Sequence, residues 1–182
     1  MDNKNVATKV VLTNVRFSYA HVFEPSSING SDPKYSVSLI LPKKDKEQIR
    51  KVEAAIEAAK ELLKAKNGGK LPKVIKLPLR DGDEEREDEA YEKSFFLNAN
   101  CKTKPGLVDR NCNPILDQDE FYSGCYGRAS ITFYPFDTNG NRGIACGLNN
   151  LQKLKDGEPL GGRSTAESDF AGFDDDDDDD LD

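Results

Sequence analysis

Residues 124–154 read GCYGRASITFYPFDTNGNRGIACGLNNLQKL, two runs of alternating character around a turn. In the first run Cys125, Ala129, Ile131 and Phe133 share one parity, and Tyr126, Arg128, Ser130, Thr132 and Tyr134 the other. Successive side chains of a strand point to opposite faces, so this pattern describes a strand with one side in a core. The second run repeats it, with Ile144, Cys146 and Leu148 opposite Ala145, Gly147 and Asn149. Between them DTNGN carries Asn139-Gly140, a pair that tight hairpins favour because the central residues of their turns need positive φ. A long antiparallel hairpin is predicted, and with it a β architecture.

Working towards the N-terminus, three more strands emerge. SFFLNANCK (94–102) places Phe95, Leu97, Ala99 and Cys101 on one side and Phe96, Asn98, Asn100 and Lys102 on the other. Phe96 either faces outward with that second set or packs beneath a helix. KYSVSLILP (34–42) puts Tyr35, Val37, Leu39 and Leu41 on one face, and VVLTNVRFSYAHVF (10–23) puts Val11, Val15, Phe17 and Tyr19 together, opposite Asn14, Arg16 and Ser18. Between the second and third strands lies one helix. Asp45 is its cap, Gln48 three residues on resembles a capping box, and Ile49, Val52, Ile56, Ala59 and Leu63 form its apolar stripe. Asn67-Gly68-Gly69 ends it. The following connector, 74–93, is expected to be irregular, with the carboxylate-dense run Asp81–Glu89 a solvated loop.

Five main strands and one helix predict a mostly β, OB-fold-like five-stranded barrel, since a sandwich usually needs about seven strands. The helix follows the second long strand rather than the third. Either an early strand is bent and counts twice, or the topology is a variant. The domain spans 1–160, and the Gly-, Ser- and Asp-rich remainder, 161–182, is a disordered acidic tail.

Net charge is −7, from 33 acids and 26 bases. Ten of those acids fall between Ala166 and Asp182 with no Lys or Arg, so 23 acids and 26 bases are left to the body, which is +3. The chain has no leader-like apolar stretch and no run approaching the roughly 20 apolar residues of a membrane span, so no membrane association is expected. The single histidine, His21, excludes a His-rich metal site, and Cys101, Cys112, Cys125 and Cys146 form no C-x-x-C pair. No phosphate-binding loop motif occurs. Neither a metal, a cofactor nor an enzymatic activity is expected, and Cys125 and Cys146 fall on core faces.

The outward faces carry the informative chemistry. Phe96, Asn98, Asn100 and Lys102 on one strand and Tyr126, Arg128 and Tyr134 on another mix rings, amides and cations. Lys104, Arg110 and Lys153 lie nearby in sequence. Unpaired nucleobases stack on aromatic rings while cations follow the phosphates, so these ten residues are candidate contacts to single-stranded DNA. In the tail, Phe170, Phe173 and Leu181 give apolar anchors among acids that include Asp174 and Asp180. Such a polyanion can occupy a basic groove until DNA displaces it, or dock on protein partners.

GCYGRASITFYPFDTNGNRGIACGLNNLQKLKDGEPLGGR (124–163), VRFSYAHVFEP (15–25) and KYSVSLILPKKDK (34–46) together resemble phage-type single-stranded DNA-binding proteins over residues 8–163. The resemblance implies an OB-fold that binds single-stranded DNA with little sequence preference, in the cytoplasm of a bacterial host, during phage replication, recombination or repair. It also implies an acidic tail that recruits phage or host replication and recombination enzymes. Many bacterial tails end on an apolar residue, whereas this chain ends Leu181-Asp182. A homodimer is compatible with the sequence. The alternative reading is a protein-interaction module working through its tail, with DNA binding secondary.

Overall fold

The computed structural model describes residues 8–27, 30, 32–138 and 140–160. Its elements are β1 (Lys9–Ser26), β2 (Lys34–Pro42), helix α1 (Lys46–Lys66), β3 (Leu79–Asp81), a one-turn helix α2 (Gly82–Glu85), a 3-10 turn (Glu89–Tyr91), β4 (Ser94–Cys101), β5 (Gly106–Val108), β6 (Tyr126–Thr138) and β7 (Asn141–Lys155). The five long strands are the five expected. Antiparallel pairing runs β4-β2-β1-β6-β7, and a parallel contact of β4 with β7, Asn100 opposite Gly147, closes the ring. Closure satisfies sheet edges that would otherwise be exposed. The short β3 and β5 add to β4 and β7.

The bent strand is β1. Its first half, Lys9–Arg16, pairs with β6, and its second, Arg16–Ser26, with β2, across three register shifts. It is nonetheless one strand, and α1 after β2 is a variant placement of the helix. Each shift inserts residues and changes which side chains face the core. The expected grouping in β1 is therefore corrected: Val10, Leu12, Val15, Phe17 and Val22 are buried, whereas Val11 and Tyr19 are each about half exposed.

The shift between Leu12 and Val15 is held from outside the sheet. Gln48, only 5% exposed, accepts hydrogen bonds from the Thr13 and Asn14 amides at 2.9 and 3.1 Å and donates to the Asn14 carbonyl at 2.9 Å. Asp45 caps α1 by accepting from the Gln48 amide. The reciprocal arm of a capping box is absent because β1 takes the Gln48 side chain. Ile49, Val52, Ile56, Ala59 and Leu63 are all buried, and α1 packs across β1, β6 and β7. Gly68 and Gly69, at φ +69° and +89°, then turn the chain away.

The connector is more ordered than its composition predicts. The Asp81 and Asp88 side chains accept from the amides of Asp83 and Ala90, each starting a short helical turn. Lys43 bridges Asp81 and Asp83 at 2.7 and 2.9 Å. Tyr91, fully buried, donates to Ser38 Oγ at 2.9 Å. A distant lysine neutralises the acids and one ring anchors the segment to the sheet. Neither feature is visible in the local composition.

Candidate nucleic-acid interface

On the outside of the barrel the second half of β1 borders a cleft of about 440 Å³. Its walls are Ser18–His21 and Phe23 of β1, Gln118 with Phe121–Ser123 from the approach to β6, Asp88 of the connector, and Pro159-Leu160. Three of its rings carry a cation. Arg86 lies over Tyr19 at 5.5 Å from the ring centroid, Lys104 over Phe23 at 5.4 Å, and Lys153 over Tyr122 at 5.3 Å. Phe121 is buried beneath, packed on Phe17 with centroids 4.8 Å apart.

Backbone irregularity puts Tyr19 there. Its φ is +46°, in the left-handed region a bulky residue seldom adopts, and it sits inside the register shift between Ser18 and His21. The strand's alternation would have pointed it inward; the bulge turns it out. Tyr122 is held differently. Its hydroxyl donates to Asp156 at 2.9 Å and receives the Gly157 amide at 3.1 Å, and Asp156 binds Lys153 at 2.6 Å. Burial works against the charge on Lys153, yet the Asp156 hydrogen bond leaves its pKa raised. The hydrogen bond from Lys153, helped by the Tyr122 hydroxyl, lowers that of Asp156. Lys153 therefore stays charged across the neutral range, paired with Asp156.

A second, smaller cleft of about 160 Å³ adjoins Asn14, Arg16, Ile40, Pro42, Ala90, Ser94 and Tyr126. Here Phe96, Ile40, Arg16, Tyr126 and Lys155 are successive cross-strand partners from β4 to β7. Arg16 and Lys155 both lie over the half-buried Tyr126 ring, at 5.1 and 4.8 Å. Arg16 also donates to the carbonyls of Gly124 and Glu158 at 3.0 and 2.7 Å.

The ten sequence-predicted contacts do not share one site. Lys104 and Lys153 lie over two different rings of the large cleft, Phe23 and Tyr122, and Tyr126 lines the small one. Asn98 is exposed and Asn100 half-buried on β4, opposite Ser38 and Ser36. Arg128 is exposed and donates to Gln152 at 3.1 Å. Tyr134 is 42% exposed, eight residues from Tyr126 and so about 26 Å away along the strand. Its ring packs over Gly147. Lys102 and Arg110 are exposed, one beyond β4 and one beyond β5.

Phe96 is corrected. It is 1% exposed, its ring edge-on to Tyr91 at 5.1 Å, and it packs with Ile40 and Tyr91 beneath the 3-10 turn rather than under α1. The anchor that covers it comes from the connector, which the pattern of β4 does not reveal. Phe170, Phe173, Asp174, Asp180 and Leu181 lie outside the described residues.

Sequence reasoning misses Tyr19, Phe23, Tyr122, Arg86 and Arg16 as a group. The one local signal is the density of rings and cations in VRFSYAHVF, which strict alternation divides between two faces. Among the described residues no group of three or more His, Cys, Asp or Glu side chains has metal-site geometry, and no helix is long and apolar enough to cross a membrane. Cys125 and Cys146 are buried, and burial raises the pKa of both thiols.

A family model described as the ssDNA-binding protein of Enterobacter phage Enc34 matches residues 8–181. Putative protein p50 of Acyrthosiphon pisum secondary endosymbiont phage 1 is 33% identical over 169 residues, covering 87% of this chain and 89% of that relative. The solved structure of the bacteriophage Enc34 single-stranded DNA-binding protein in complex with ssDNA superposes with a TM-score of 0.77 at 25% identity, covering 88% of this chain and 96% of the other. The single-stranded DNA-binding protein gp2.5 of bacteriophage T7 shares the fold, with a TM-score of 0.60 at 14% identity over 90% of this chain and 93% of that one. The barrel, its bent first strand and the extent of these matches lead to one conclusion: the chain belongs to the family of the phage Enc34 single-stranded DNA-binding protein.

Proposed function

We propose that this protein binds single-stranded DNA with little sequence preference and protects it during phage replication, recombination or repair in the bacterial cytoplasm. The observation that carries this reading is the large cleft, where three rings each hold a cation within about 5.5 Å of the ring centroid. Rings offer stacking faces that every base can use, and the cations track phosphates. The Enc34 relative, solved with ssDNA, supports the same ligand class. In this reading Tyr19, Phe23 and Tyr122 stack bases, with Lys104 and Lys153 beside the backbone. Asn98, Asn100, Lys102, Arg110, Arg128 and Tyr134 extend the path along the barrel, and Tyr126 acts by holding Arg16 and Lys155.

The folded unit is residues 1–160, and 161–182 forms an acidic regulatory arm. Leu160 lines the large cleft and its amide donates to the Ser123 carbonyl at 2.8 Å, so the arm departs from the rim of the proposed DNA site. From there its carboxylates compete with phosphates for the same cations. Once DNA displaces the arm, Phe170, Phe173 and Leu181 are available to recruit replication and recombination enzymes.

Titration of labelled oligo(dT) against duplex of equal length, followed by fluorescence at several salt concentrations, tests the reading. Preferential binding of the single strand is expected, weakening steeply as salt rises. Equal affinity for both forms would leave the tail-mediated interaction module as the better account.

A further inference from the structure

We infer that Arg86 is a phosphodiester anchor of the interface, held on an aromatic platform with its donors facing the DNA; this rests on the single-stranded DNA reading above. The residue lies within DGDEEREDE (81–89), among carboxylates on both sides, where a surface ion pair is the ordinary expectation. The guanidinium makes none. Among the described residues it has neither an ion pair nor a hydrogen bond. It lies instead over three rings, with centroids of Phe96, Tyr91 and Tyr19 at 5.1, 5.4 and 5.5 Å.

The platform is built for this. Phe96 and Tyr91 are buried edge-on to one another, and the Tyr91 hydroxyl is fixed to Ser38. Tyr19 is brought beside them by its left-handed backbone. A delocalised guanidinium can pack against rings and still present N–H groups away from them, in the fork that matches a phosphate. An ammonium in the same place could keep the charge but not the fork. Tyr19 lines the large cleft while Arg86 borders the acidic hollow beside it, lined by Asp83, Glu87, Asp88, Glu92 and Lys93. A strand with a base on Tyr19 has its adjoining phosphate within reach of Arg86, and the carboxylates of the hollow keep the backbone from straying further. The connector thus contributes a recognition element that its net charge conceals.

The test compares the full-length wild-type chain with Arg86→Ala and Arg86→Lys, titrating oligo(dT) over a salt series and measuring Tm in parallel. Arg86→Ala should weaken binding about tenfold at low salt. It should also reduce the magnitude of the log K against log[salt] slope by about 0.7, the share of one phosphate on a single strand. Arg86→Lys should keep the wild-type slope while binding more weakly, because the charge stays and the fork is lost. A wild-type slope in Arg86→Ala, with only a lower Tm, would make Arg86 a staple of the connector and overturn the inference. Wild-type protein that binds oligo(dT) no better than duplex would fail the underlying reading instead, so the two failures are told apart.

Discussion

Tyr19 and Phe96 exchange the roles their positions in sequence suggest. Phe96, on the polar parity of its strand, is 1% exposed, while Tyr19, on the apolar parity of its own, is 53% exposed. Tyr19→Ala should therefore weaken oligo(dT) binding by about 1–3 kcal/mol, one stacked base, and leave Tm unchanged. Phe96→Ala should lower stability by about 3–5 kcal/mol through the cavity it opens against Tyr91 and Ile40. Urea denaturation beside fluorescence titration separates the two. A Phe96→Ala protein of wild-type stability would contradict its burial. The rest of the candidate site is legible in the sequence only in part. Lys104 and Lys153 stand out as cations near the face, but the rings they cover, Phe23 and Tyr122, lie on β1 and on the coil before β6, whose local patterns name no partner.

Gln48 shows how one element depends on another. Its amide satisfies two N–H groups and one carbonyl of β1 where the ladder to β6 is interrupted. Removing it unpairs partly buried backbone groups, and an unsatisfied buried group costs about 1–3 kcal/mol. Gln48→Ala should destabilise the fold by at least the lower end of that range, read as a lower midpoint in urea. A loss no larger than ordinary helix propensity would show that the bulge supports itself.

The connector gives a pH signature at the same scale. Hydrogen bonds from Lys43 hold Asp81 and Asp83 below their ordinary value of 3.8, and hydrogen bonds to Asp81 and Asp83 raise Lys43 above 10.5. A depressed carboxylate contributes stability that is fully present above its unfolded value and lost as pH falls through its folded one. The raised lysine contributes below 10.5 and loses that contribution only at higher pH. Wild-type Tm should thus fall more steeply than that of Lys43→Met as pH drops below about 4, and modestly, because the groups are partly exposed and screened. Parallel acid limbs for the two proteins would remove the bridge from the account.

For the whole molecule the charge division matters most, a body of +3 and a terminal stretch holding ten acids. Truncation after Arg163 should tighten oligo(dT) binding, most visibly at low salt where polyanion competition is strongest. Titration of the truncated and full-length chains in parallel checks it; weaker binding after truncation would refute competition by the tail. Five strands, their order in the chain, the helix with its cap and stripe, and the hairpin turn were all determined by the sequence itself. These follow from periodicity, capping and turn chemistry, each confined to a few neighbouring residues. Tertiary structure alone decided that β1 bulges, that Gln48 leaves its own helix to fill the gap, and that Lys43 and Tyr91 order an acidic connector. It also decided that two rings of β1 and one from the coil before β6 meet around one cleft, each with a cation from a different segment. The physical reason is range: a strand's parity is local, but a bulge's position and a ring's partner depend on groups distant along the chain.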